Sequence, residues 1–272
     1  MSTLEEAVAI EVAEGEKVGG TFIAPGTLMP GVLFVHGWGG SQEQYLARAR
    51  AVAALGCVCL TFNLRGHADN RPQFETVSRS INLRDVEAAY DRLVMRRYVD
   101  PQAIAVIGSS YGGYLGAILT TMRPVRWLGL RAPALYMDSG WDLPKLQLRK
   151  EQDLVAYRSN IVPAESNRAL RACRDFRGDM LLIESEFDDF IPASVLASYR
   201  QAATQTHSLT ARTIKGADHG LTSEESQRAY TAMLIGWLKE MVAHARVGQV
   251  PAAVHDMVTK PETPPEVIHE GA

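Results

Sequence analysis

The sequence predicts an α/β protein with a mostly parallel, doubly wound sheet. Largely apolar runs of strand length recur at 31–35, 57–62, 103–107 and 179–184. Such unbroken runs suit strands covered on both faces. Between them lie segments with apolar residues at helical spacing, such as Val86, Ala89, Tyr90 and Leu93. Strands alternating with helices in this way build parallel sheets, whose ligands sit at the carboxyl ends of the strands.

With 272 residues, 46% of them hydrophobic, the chain can bury a large core. Residues 1–246 read as one domain carrying a small lid-like insertion at about 134–176. Residues 247–272, with four prolines among polar residues, read as a mobile tail in which 250–254 could dock on the body. A net charge of -3 gives no electrostatic case for nucleic acid or an anionic membrane as partner. No apolar stretch is long enough to span a bilayer, and the start lacks a basic region followed by an apolar run. Three cysteines, Cys57, Cys59 and Cys173, form no disulfide framework and fit a reducing compartment, so a cytoplasmic location is expected. Cys57 and Cys59 lack neighbouring ligands for a metal, and no metal or organic cofactor is expected. Oligomeric state stays open, a homodimer included.

Taken in order, 7–14 and 17–24 read as an edge hairpin turning at Gly15-Glu16 and ended by Pro25-Gly26. Strand 31–35 runs into His36-Gly37-Trp38-Gly39-Gly40-Ser41. Ser41 is the expected N-cap of a helix through Leu55, closed by Gly56. Strand 57–62 leads to a polar loop, 63–69, and then a helix over 81–98 with its Arg and Asp residues on the outer face. Strand 103–107 precedes a helix over 114–120, and 125–133 reads as a further strand. After the insertion, whose last helix is expected at 164–176, come strand 179–184, helix 193–203, strand 209–214 and helix 223–244.

Between strand 103–107 and its helix stands Gly108-Ser109-Ser110-Tyr111-Gly112, a G-x-S-x-G pattern. A strand turning this sharply into a helix has no room for side chains at the flanking glycines. It pushes the middle serine out at the helix N-terminus, where negative charge is favoured. A serine hydroxyl needs a base to take its proton, and the base needs a third group to hold its tautomer. His219, in Lys215-Gly216-Ala217-Asp218-His219-Gly220, lies just past strand 209–214. The acid should follow strand 179–184, where Asp188 and Asp189 stand side by side. His36 belongs to the turn after strand 31–35, His67 suits a structural hydrogen bond, and Asp189 suits a solvated or helix-capping role.

These motifs, spread over residues 17 to 244, resemble the α/β-hydrolase superfamily of serine hydrolases, in an esterase, dienelactone-hydrolase-like or small peptidase-like form. The order Ser, Asp, His matches that family. Ser185, Asp188, Ile191 and Pro192 fit its G-x-x-D-x-x-V-P spacing with Ser in place of the first Gly, which implies Asp188 as the acid; family members that take the acid from the preceding strand end make Asp138 a distant reserve. His36-Gly37-Trp38-Gly39-Gly40 matches H-G-x-G-G, so the backbone N–H groups of Trp38 and Tyr111 are implied as the oxyanion hole. Each such donor is worth roughly 3 to 4 kcal/mol in comparable sites. Arg65-Gly66-His67 resembles an R-G-H-G loop, with Ala68 replacing the last Gly. The resemblance implies hydrolysis of a small ester, thioester or lactone through an acyl-serine. Activity should rise as the His219 imidazole loses its proton. An amide or peptide substrate is the alternative, and a non-catalytic ligand receptor on the same scaffold a reading of another class. The portion before the first long strand is short, so the extra domain that larger peptidases of this kind carry is not expected, which favours the small ester. Trp141 and Met137 in the insertion, with Trp38 and Tyr111, are candidates to line the substrate pocket.

Overall fold

The computed structural model describes residues 4–24 and 29–247. The expected end of the hairpin at Pro25-Gly26 and the tail with its 250–254 docking segment lie outside them. The chain opens with β1 (Leu4–Ala13), β2 (Glu16–Ala24), β3 (Met29–Val35), α1 (Glu43–Ala53) and β4 (Val58–Phe62). It continues with α2 (Arg79–Val94), β5 (Val99–Ser109), α3 (Tyr111–Leu119) and β6 (Trp127–Arg131). Three short helices follow, α4 (Lys145–Glu151), α5 (Leu154–Arg158) and α6 (Arg168–Asp175), and then β7 (Asp179–Phe187), α7 (Ala193–Ala202), β8 (Ser208–Asp218) and α8 (Glu224–Val247).

The strands form one sheet in the order β1-β2-β4-β3-β5-β6-β7-β8. β1 pairs antiparallel with β2, and β2 with β4; every later pairing is parallel. β3 shows why the apolar runs are unbroken. Val32 and Phe34 enter the core beneath α1 and α8, while Leu33 and Val35 enter the core beneath α2, α3, α6 and α7. A period of two with both faces covered leaves no position for a polar residue. This is the α/β-hydrolase fold.

The chain winds outward from β3 to β4 and then crosses to β5 on the other side of β3. The loops after β3 and β5 therefore diverge at a switch point, where α/β sheets bind ligands. The expected 36–41 loop and the G-x-S-x-G turn are those two loops.

Several boundaries differ from expectation for local reasons. α1 starts after Gln42, not on a Ser41 cap; the Gln42 side-chain carbonyl instead accepts hydrogen bonds from Thr21 and Thr61. α2 starts two residues early because the Ser78 hydroxyl caps it through Ile81 N–H, and it stops at Val94 because Val99 already joins the sheet beside Met29. The last insertion helix is split: Asn167 caps Ala169 and Leu170 and restarts the chain as α6. The loop after β4 is polar yet buried: Asn63, Arg65 and His67 are all inaccessible. Asp85, expected on the outer face of α2, is fully buried and pairs with Arg65 at 2.6 Å.

Residues 132–178, between β6 and β7, contain α4, α5 and α6. They are tied to the body at many points. Arg79 of α2 donates to the carbonyls of Met137 and Ser139. Asn167 donates to Tyr136 O, and Arg158 to Leu135 O. The Lys145 ammonium, at the start of α4, sits 3.9 Å from the Trp38 ring centroid, with Tyr111 and Tyr136 on its other sides.

Candidate active site

Sterics make the turn after β5. A Cβ on Gly108 would stand 2.4 Å from Gly112 O, and one on Gly112 would stand 2.2 Å from Val35 O. Only glycines let the turn close on itself and press against the end of β3. Between them Ser110 takes φ 51° and ψ -115°, a conformation that L-residues rarely adopt. It is held there by Ser110 N–H to Arg131 O at 2.9 Å, and by Tyr114 and Ala134 N–H groups donating to its carbonyl. The 36–40 loop lies close by, with the site of a Gly37 Cβ only 3.4 Å from Ser110 Cβ.

Three side chains from three strand ends meet here. His219, just after β8, places Nε2 3.1 Å from Ser110 Oγ. Its Nδ1 lies 2.7 Å from Asp188 Oδ2, just after β7. Burial pushes the Asp188 carboxyl up, but hydrogen bonds from His219 and from the Ile191 and Phe190 N–H groups outweigh it and hold the group below the usual range. An ionised Asp188 takes the proton on Nδ1 as its donor, which leaves Nε2 able to accept from Ser110.

Asp138 and Asp189 stand elsewhere. Asp138 accepts from Arg168 N–H and pairs with Arg171. Asp189 is exposed, and Pro192 rather than Asp189 occupies the cap position of α7. His36 accepts from Leu64 N–H on Nε2, so its Nδ1–H donates to Gly37 O. His67 faces Arg65 O through Nδ1. Burial pushes His36 down to about 3 and His67 down to about 4.

A cleft of about 340 Å³ opens at Ser110 and His219, walled by the 37–40 loop and by α1 and α8. Trp38 lines it, as expected. Tyr111, expected to line it, does not: its ring is fully buried and its hydroxyl donates to Asn82. Trp141 and Met137 do not line this cleft. The Trp141 ring faces Tyr114 and lies beneath the Arg168 guanidinium at 4.0 Å. Met137 meets Arg79 through its carbonyl. Apolar type and position in the insertion suggested both, but the Trp141 ring is covered by the Arg168 guanidinium, and Met137 is tied to α2 through its backbone carbonyl.

The sequence reading missed Arg48, Arg131 and Tyr230, which do line the cleft. Arg131 had a signal: a charged residue ending an apolar strand must find buried partners. It donates to Ser109 Oγ at 3.3 Å, Ser185 Oγ at 3.4 Å and His219 O at 2.6 Å. Arg48 had none, being one of two arginines on an ordinary amphipathic helix. Among the described residues, no group of three or more His, Cys, Asp or Glu could hold a metal ion, and no helix is long and apolar enough to cross a membrane.

Fold and site define a hydrolase of the serine α/β-hydrolase class. The sequence profile of the prolyl oligopeptidase family matches residues 43–245, three quarters of the chain, and the chain belongs to that family. Two uncharacterised Mycobacterium tuberculosis proteins, MT2364 (strain CDC 1551 / Oshkosh) and Rv2307c (strain ATCC 25618 / H37Rv), are 26% identical over 204 residues, or 73% of this chain and 67% of theirs. Among solved structures, Est1E from Butyrivibrio proteoclasticus with ferulic acid bound has a TM-score of 0.68 at 17% identity, covering 87% of this chain and all of that one. The acylaminoacyl peptidase of Pyrococcus horikoshii also has a TM-score of 0.68, at 16% identity, over 89% of this chain and 42% of its own.

Proposed function

We propose that this protein hydrolyses a carboxylic ester, thioester or lactone through an acyl-serine intermediate. Ser110 attacks the carbonyl while His219 takes its proton, and Asp188 orients His219 and stabilises its cationic form. The Trp38 and Tyr111 N–H groups hold the oxyanion. His219 then protonates the leaving group, and water, deprotonated by His219, releases the acid. The observation that carries this reading is the hydrogen-bonded chain Ser110–His219–Asp188, with Ser110 on a strained turn. Likeness in fold to the whole of Est1E, solved with ferulic acid bound, supports the ester. Membership of the prolyl oligopeptidase family supports a second reading, amide or peptide hydrolysis by the same residues.

A series of p-nitrophenyl esters of graded chain length, run beside aminoacyl p-nitroanilides, separates the two. Faster turnover of the esters is expected; faster anilide cleavage would move the assignment to peptides. Ser110→Ala should lower kcat by roughly 10⁴-fold or more and abolish labelling by a fluorophosphonate. Turnover or labelling that survives this substitution would remove Ser110 as nucleophile.

A further inference from the structure

The cleft beside Ser110 has an unusual wall. Two of its side chains, Arg48 and Arg131, are guanidiniums more than nine-tenths buried, and among the described residues no carboxylate lines it. Neither arginine is ion-paired among the described residues. A buried cation ordinarily has an anionic partner or a full set of acceptors. Arg131 has acceptors for all three nitrogens. Arg48 does not: Nη1 donates to Gln44 O at 2.6 Å, whereas Nε–H is buried with no acceptor. The guanidinium lies 4.7 Å from the centroid of the Tyr230 ring, which fixes its plane. The Tyr230 hydroxyl is also buried in this wall without a well-formed hydrogen bond, Ser109 being its near polar neighbour. One cation with an unused donor, a second cation and a spare hydroxyl thus share a cavity with the reactive serine. A planar anion with two oxygens satisfies this set, and a neutral alkyl group does not.

We infer that Arg48 binds a carboxylate carried by the substrate, so that the enzyme acts on acid-bearing esters. This rests on the serine hydrolase reading above and specifies its substrate class. No covalent step is added: the carboxylate is held while Ser110 attacks the ester carbonyl elsewhere in the molecule.

Two matched pairs of substrates test it. Mono-p-nitrophenyl glutarate against p-nitrophenyl valerate places the charge on the acyl side. 4-Acetoxybenzoate against its methyl ester places it on the leaving group. In at least one pair the wild type should favour the acid by about 10- to 100-fold in kcat/KM. The preference should persist at molar salt, because a buried contact is poorly screened whereas long-range steering is not. Arg48→Met should collapse the ratio mainly through KM, and Arg48→Lys, which keeps the charge on a folded helix, should retain part of it. The proposal is overturned if the wild type shows no preference in either pair, if the preference vanishes at high salt, or if Arg48→Met leaves the ratio intact. Fluorophosphonate labelling of Ser110 separates the two levels. Labelling without acid preference sinks the carboxylate site alone, and absence of both labelling and turnover sinks the serine hydrolase reading with it.

Discussion

Backbone strain is concentrated at a few positions with distinct consequences. Ser110 at φ 51° is enforced by its glycine neighbours and by three backbone hydrogen bonds. Ala68 at φ 47° is a different case: it occupies the place where the R-G-H-G pattern carries glycine. Relieving a left-handed alanine returns about 1–2 kcal/mol, and the looser unfolded chain takes back about 0.4–1. Ala68→Gly should therefore stabilise the protein slightly, raising Tm by roughly 1–3 °C in a calorimetric scan. Much at this scale is legible in the sequence, because a glycine with no room for Cβ leaves the same mark wherever the turn recurs. Ser110 and His219 could be picked out from such local cues, whereas Asp188 was separated from Asp189 only by the resemblance in spacing to the family's motif. Arg48 could not, since its significance comes from what is missing around it in space. Trp141 and Met137 failed for the same reason: no local pattern says that Arg168 covers the ring of one and Arg79 bonds the backbone carbonyl of the other.

The loop after β4 and the helix α2 illustrate elements whose polarity misleads. Asp85 looks like an outer-face residue, yet its carboxylate accepts from Arg65 N–H, Arg65 Nε and Asn82 Nδ2, all buried. Arg65 reaches on to Glu16 at 2.6 Å and to Ile81 O, so one guanidinium clamps the loop to α2 and to the edge hairpin. Removing one partner of such a pair leaves the other charge in a dry setting. Asp85→Ala should cost about 3–5 kcal/mol, read as a lower urea midpoint. A helix count by periodicity assigns charged residues to solvent and cannot see a partner 20 residues away. The same applies where α2 meets the segment between β6 and β7: Arg79 of α2 and Lys145 of α4 lie buried because carbonyls and aromatic rings receive them.

For the molecule as a whole, pH acts through groups buried in uncharged form. His36 and His67 lie edge to face with ring centroids 5.1 Å apart, and burial holds both far below the usual imidazole range. Both are neutral in the folded and unfolded chains above about pH 6.5, so they exert no pull there. Below it the unfolded chain gains protons first, and stability falls until the folded values of about 3 and about 4 are reached. Each histidine should remove roughly 2 kcal/mol by about pH 5. Urea titrations at a series of acidic pH values should show this decline, and His67→Gln should reduce its slope. The sheet itself was plain from the alternation of apolar runs, since burial on both faces dictates composition directly. Which strand ends face one another was not, because that depends on the crossover at β3. Arg131 turns that adjacency into something mechanical. By bracing β5, β7 and the segment past β8 from β6, a single side chain makes the spacing of hydroxyl and imidazole a property of the sheet's rim, not of the surrounding connections. Those connections can then lengthen or change composition to suit new cargo while the reactive geometry stays put.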